Sequence, residues 1–323
     1  MKTNTTHPDK MHRRPLLLAV VAGLASILAE TSAQAALFVS SYNSGTGASV
    51  IDKVSSGGTV SLFATLPTSS LPEGLAIDSA GLLYVAERNT GWIDKVSAGG
   101  VVSHFASVGG VNAAPYGMVF DASGNLYVAL SGSPGNTIDK ITPGGSVTTF
   151  VTLATNYGPL GLAFDGSSNI YVSGSHLNTN NEITKITLGG SASHFATVPP
   201  TGVLGSPRGL AVDASGNLYV AQAGGTISEI TPGGTVSTFV TLSGSTGPVG
   251  LAFDGSGNLY SADNGVGTVD LITPGGAVST FATGISLPQF VIVAPVPEPA
   301  TLAVGLLCLG VGMARRRRSA RVA

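Results

Sequence analysis

Pro115-Tyr116-Gly117-Met118-Val119-Phe120-Asp121-Ala122-Ser123-Gly124-Asn125-Leu126-Tyr127-Val128-Ala129 reads as a short strand, a tight turn and a second short strand. Asp121 supplies an Asx-type acceptor at the start of the turn, and Gly124 suits a position of positive φ. The unit recurs as PEGLAID from Pro72, PLGLAFD from Pro159, PRGLAVD from Pro207 and PVGLAFD from Pro248, with the prolines 43, 44, 48 and 41 residues apart. A third strand follows each pair: IDKV at Ile93, IDKI at Ile138, ITKI at Ile183, ISEI at Ile227 and VDLI at Val269. A Gly-Gly turn then leads into a fourth, such as SVTTFVT from Ser146. Four short strands in about 40–45 residues is the period of a β-propeller blade.

Gly-Gly pairs at Gly57, Gly99, Gly144, Gly189, Gly233 and Gly275 give six units, one more than the Pro-x-Gly motifs. The first unit starts at ALFVSSYNSG, already a second strand. Past the last full repeat, Leu287-Pro288-Gln289-Phe290-Val291-Ile292-Val293 aligns with PVGLAFD, with Phe290 in the glycine's place. The expected fold is therefore an all-β, six-bladed propeller over residues 36–294. Its carboxy-terminal strand would complete blade 1 and leave no long open edge.

Of 323 residues only 10% are charged, 45 are glycine, and the mean hydropathy is +0.36. Of 15 Lys and Arg, four lie in the first 14 residues and five between Arg315 and Arg321. Residues 36–294 keep six (Lys53, Arg88, Lys95, Lys140, Lys185 and Arg208) against 14 acids, a net charge of −8. Nucleic-acid binding needs a basic footprint and is excluded. Cys308 is the one cysteine, so the propeller cannot use disulfides.

Residues 1–35 read as a signal peptide: Lys2, Lys10, Arg13 and Arg14, an apolar run from Pro15 to Leu28, then Ala33-Gln34-Ala35 before a mature start at Ala36. Residues 295–323 contain Val296-Pro297-Glu298-Pro299, an apolar stretch at 300–314 and Arg315, Arg316, Arg317 and Arg318. The stretch is at the short limit for a membrane-spanning helix, and the arginines would stay cytoplasmic. This layout resembles the PEP-CTERM sorting signal of Gram-negative bacteria. The resemblance implies export across the inner membrane and processing by an exosortase-type membrane protease near Pro297-Glu298-Pro299. It also implies at least transient anchoring by the helix, and a link to exopolysaccharide or biofilm matrix.

Loops joining fourth to first strands and second to third strands emerge on one face, and loops carry sites. The x of Pro-x-Gly is Glu73, Tyr116, Leu160, Arg208, Val249 and, by alignment, Gln289. Just after the second strands stand Glu87, Leu130, Gly174, Gln222 and Asp263. The candidates for a ligand at the channel mouth are Glu73, Glu87, Arg88, Tyr116, Arg208, Gln222, Asp263 and Asn264. Glu73, Glu87 and Asp263 have the oxygen donors that Ca2+ or Mg2+ takes. His176, in SGSHLNTNN, is the histidine expected at the mouth and the candidate catalytic base. His104 and His194 each precede a fourth-strand phenylalanine and are expected at the exposed rim. Asp78, Asp121, Asp165, Asp213 and Asp254 are expected to cap turns.

GLAxD, xxGN(L/I)YVA and the Gly-Gly hairpin over residues 37–294 resemble the NHL and streptogramin-lyase-like propellers, with gluconolactonase-type and regucalcin-type enzymes in the same broad superfamily. The arginine of the NHL repeat is missing at Thr90-Gly91-Trp92-Ile93 and Asn136-Thr137-Ile138. A streptogramin-type lyase would imply a histidine base with an acidic metal set, a role open to His176. A gluconolactonase would imply a Glu, Asn and Asp metal shell, matched by Glu73 and Asn264. The preferred expectation is an exported binding or structural module of the cell envelope or extracellular matrix, meeting an envelope glycan or another envelope protein. The alternative is a divalent-metal-dependent lyase or lactonase.

Overall fold

Asp121 turns the chain as its residue type dictates. Its Oδ1 accepts the N–H of Ser123 at 2.9 Å and of Asn125 at 2.8 Å, and its Oδ2 accepts Asn125 Nδ2 at 2.8 Å. Burial alone would raise this carboxyl; the Asn125 and Ser123 donors outweigh it and hold it below the usual carboxylate range. Asp165, Asp213 and Asp254 repeat the pattern, and Asp78 does so without the asparagine. The expected turn caps are therefore present.

The structure, a computed structural model, describes residues 36–132, 135–176, 181–200, 206–244 and 247–295. Within them, six four-stranded antiparallel sheets follow one another as blades. The inner strands are Pro288–Val293 in blade 1, then Pro72–Ile77, Pro115–Phe120, Tyr157–Phe164, Pro207–Val212 and Pro248–Phe253. Each neighbours the next around the axis, and Pro288–Val293 returns to Pro72–Ile77. Blade 1 joins both ends of the chain: Leu37 pairs with Val293, Phe38 with Ile292, Val39 with Val291 and Ser40 with Phe290. The ring closes as the sequence predicts.

The core is divided into six layers, one between each pair of adjoining blades. Blades 2 and 3, for example, bury Tyr84, Ala86 and Ile93 against Met118, Leu126 and Val128. Second-strand tyrosines meet outer-strand phenylalanines edge-on, as Tyr219 meets Phe239 with centroids 5.0 Å apart. Lys95, Lys140 and Lys185 lie over Tyr84, Tyr127 and Tyr171, so third-strand lysines cover these rings.

Among the described residues no helix is long and apolar enough to cross a membrane. The signal peptide expected at 1–35, the sorting residues Pro297, Glu298 and Pro299, the apolar stretch 300–314 and Arg315–Arg318 all lie outside the described residues.

Candidate functional site

The glycine of Pro-x-Gly is dictated by the neighbouring blade. A Cβ on Gly74 would stand 2.2 Å from the carbonyl oxygen of Tyr116, and one on Gly209 would stand 2.2 Å from that of Val249. Inner strands can pack this closely only with a bare Cα at that point. The preceding residue then projects into the axis. All six such positions, Glu73, Tyr116, Leu160, Arg208, Val249 and Gln289, line one chamber.

Above that chamber lies the mouth, a cavity of about 330 Å³ lined by Tyr42, Leu71, Pro72, Glu73, Arg88, Tyr116, Arg208, Asn264 and Gln289. Residues before three of the inner-strand prolines, Leu71, Ala114 and Leu287, take positive φ values of 52°, 45° and 40°. Backbone strain of this kind gathers where a site over-determines the chain. Two serines from second strands fix the charged members of the ring. Ser40 Oγ donates to the carbonyl of Glu73 at 2.6 Å, and Ser173 Oγ donates to the carbonyl of Arg208. At the matching repeat position the other blades carry alanine: Ala86, Ala129, Ala221 and Ala262.

Glu73 is mostly buried, with Arg88 Nη1 3.8 Å from its Oε1. Burial pushes its carboxyl up to about 7, although Arg88 and Arg208 both pull it down. The Arg88 guanidinium lies over the Tyr116 ring, 5.2 Å from its centre. Tyr116 is raised from its ordinary value by burial and then by Glu73. Asn264 Nδ2 donates to the carbonyl of Pro288 at 3.3 Å, and Gln289 Nε2 to that of Leu287 at 3.1 Å.

Of the sequence candidates, Glu73, Arg88, Tyr116, Arg208 and Asn264 thus come together, while Glu87, Gln222 and Asp263 do not. Successive strand residues face opposite sides, and the three fall on the side turned into the blade. All are fully buried. Gln222 is held by the carbonyl of Pro199 and by Ser228, and Asp263 accepts the N–H of Gly265. The residues after Glu87 and Asp263, Arg88 and Asn264, reach the mouth. Tyr42 was not singled out from the sequence; aligning LFVSSYN with LYVAERN puts it at the position of Arg88.

Glu87 accepts a hydrogen bond from Thr90 Oγ1 at 2.7 Å and lies against Asp94. Burial and, to a lesser degree, Asp94 push the Glu87 carboxyl up to about 7. His104 sits on an outer strand, 54% exposed, stacked on Trp92 with Nδ1 2.6 Å from Asp94 Oδ1. His194, also exposed on an outer strand, lies 3.0 Å from Thr197 Oγ1. Both match the rim placement expected of them. The backbone of His176 pairs with Tyr157 at the end of its strand, and its side chain lies outside the described part of the structure.

The expected three-carboxylate metal set does not form. Only Glu73 among Glu87, Asp263 and itself reaches the mouth, and no group of three His, Cys, Asp or Glu side chains among the described residues could hold an ion. These residues do not fit Ca2+ or Mg2+, and no chemical step is routed through either.

No family model and no curated protein matches the chain. Solved structures do. Nidogen, in its complex with laminin, superposes with a TM-score of 0.65 at 20% identity, over 81% of this chain and 98% of that one. Virginiamycin B lyase from Staphylococcus aureus gives 0.58 at 18%, over 79% and 87%. A gluconolactonase from Xanthomonas campestris gives 0.55 at 18%, over 71% and 83%. At these identities the likeness establishes the propeller fold shared by such lyases, lactonases and binding proteins, and a fold of this kind hosts many activities.

Proposed function

We propose that the chain is an exported binding module whose ligand seats in the axial mouth. The observation that carries this reading is the gathering of Tyr42, Glu73, Arg88, Tyr116, Arg208, Asn264 and Gln289 in one cavity. In a chain built from near-identical blades, residues that break the repeat and meet at one place are set there by something other than folding. The cavity has the volume of a small-ligand site and mixes two aromatic rings with a few convergent polar groups. Residues 1–35 would deliver the domain beyond the inner membrane, and residues 295–323 would present it to an exosortase-type protease for release into the envelope or matrix. The partner is then an envelope glycan.

A second reading, a lyase or lactonase working from the same mouth, draws on Glu73. A buried carboxyl titrating near 7 is poised for general acid–base work. His176 would be its second group, by analogy with the streptogramin lyases.

An oligosaccharide array separates the two. Wild-type protein is expected to retain a defined set of glycans unchanged, and Leu160→Trp, which fills the chamber under the mouth, to lose them. Equal retention by Leu160→Trp would remove the mouth from the account. Glycans returned cleaved or opened, with the cleavage abolished in Glu73→Gln, would favour the enzyme. An amino terminus other than Ala36 on the envelope-located protein would overturn cleavage after Ala35.

A further inference from the structure

Arg88 and Arg208 are the two arginines of residues 36–294, and both line the mouth. The four lysines of the same region stand on third strands, away from the axis: Lys53 in Ala48–Val54, Lys95 in Trp92–Val96, Lys140 in Thr137–Ile141 and Lys185 in Glu182–Thr187. A domain of net charge −8 has therefore placed both of its guanidinium forks in one axial cavity. Resting on the mouth-binding reading, we propose that this cavity takes the carboxylate of an acidic sugar, a uronate unit, between Arg88 and Arg208. The sugar chain then leaves over the seam between blades 6 and 1.

The guanidinium is the side chain suited to grip a carboxylate with two parallel hydrogen bonds. Neither arginine is saturated. Arg88 stands 3.8 Å from Glu73, beyond hydrogen-bond length, and no carboxylate lies within 4 Å of Arg208 among the described residues. Both are anchored through the backbone, Arg88 N–H to the carbonyl of Leu71 at 3.0 Å and the Arg208 carbonyl by Ser173. With Glu73 ionised, one carboxylate from the ligand completes the balance of the two guanidinium charges, and a phosphate dianion would leave the pocket negative.

The remaining lining suits a hydroxylated ring. Asn264 and Gln289 each give one amide hydrogen to a backbone carbonyl, and their side-chain oxygens can accept sugar hydroxyls. Tyr42 and Tyr116 offer faces with polar tips. The mouth also has a neighbour. A second cavity of about 300 Å³, lined by Asn43, Ser44, Gly265, Val266, Ser286 and others, shares Tyr42 and Asn264 with it. Two adjoining cavities of this size give a linked chain a path from the axis to the rim at the closure seam.

Calorimetric titration of the full chain in detergent tests this with trimers of galacturonate, glucuronate and mannuronate, their neutral methyl esters and inorganic phosphate. At least one acid trimer is expected to bind, with its methyl ester at least tenfold weaker. Arg88→Gln and Arg208→Gln should each cost tenfold or more while melting at the wild-type temperature. Arg208→Lys, which keeps the charge and loses the fork, should fall between. Asn264→Ala should weaken trimers more than the corresponding monomers. Esters bound as tightly as acids, indifferent to both arginines yet lost in Leu160→Trp, would overturn the acidic ligand and leave the mouth reading standing. Phosphate competing on equal terms with the trimers would reduce the site to a general oxyanion cradle. No binding of any acid trimer or ester would overturn the acidic sugar, and glycans still retained on the array would spare the mouth.

Discussion

Glu87 gives the sharpest test of how charge is carried inside a blade. It is fully buried, its Oε2 accepts from Thr90, the Ser70 hydroxyl lies beside the carboxyl, and Asp94 Oδ2 has no donor. A proton held by Glu87 supplies the missing donor, in keeping with a carboxyl raised from 4.5 to about 7. Below pH 4.5 folded and unfolded chains both hold this proton, so it leaves stability unchanged. Between 4.5 and 7 the unfolded chain releases it while the fold retains it, and stability falls as pH rises. A rise of this size corresponds to about 3 kcal/mol of stability lost above pH 7. Glu87→Gln copies the protonated acid, offering an N–H to Asp94 and an oxygen to Thr90, and it cannot ionise. The variant should nearly match wild type at pH 5 and exceed it at pH 8 by about 2–3 kcal/mol, or about 5–10 °C in Tm for a domain of this length. Urea unfolding at the two pH values, followed by far-ultraviolet circular dichroism, reads the difference. A variant no more stable than wild type at pH 8, or one with the same advantage at both pH values, would refute the shared proton.

Gly209→Ala drives a Cβ to 2.2 Å from a backbone oxygen of blade 6 and should lower stability by about 3 kcal/mol in urea unfolding. Gly166→Ala meets nothing within 4 Å and should stay within about 0.5 kcal/mol. Truncation after Ser286 removes Pro288–Val293, with Val291 fully buried, and leaves Leu37–Asn43 as an open edge. Limited proteolysis and light scattering should find this variant cleaved and aggregating, and a soluble, resistant form would contradict closure through blade 1.

The fold was legible because each blade repeats the same local instructions. Asp121 and its counterparts bond to donors two and four residues on, so sequence spacing alone specifies the turn. Closure was legible because Val291 and Ile292 fit a strand vacancy that ALFVSSYN leaves open. The site was legible where a periodic backbone fixes side-chain direction. The x of Pro-x-Gly must project inward once the glycine is pressed against the next strand, which is how Glu73, Tyr116 and Arg208 could be placed together. It was not legible at the ends of second strands, where one step in sequence exchanges the mouth for the blade interior. Glu87, Gln222 and Asp263 fell on the wrong side of that step, and Tyr42 on the right side in a blade whose motif starts partway through. The buried residues form a row of their own: Ser41 with Asp52, Glu87 with Asp94, and Gln222 with Ser228. That row accounts for the departures in blades 1, 2 and 5 as pairing inside the blade. Once it is set aside, the departures left without a folding role are those at the axis. Those residues carry the functional argument, because a ring that needs only glycine, proline and aliphatic side chains to close gives Arg88 and Arg208 no structural reason to face each other across its mouth.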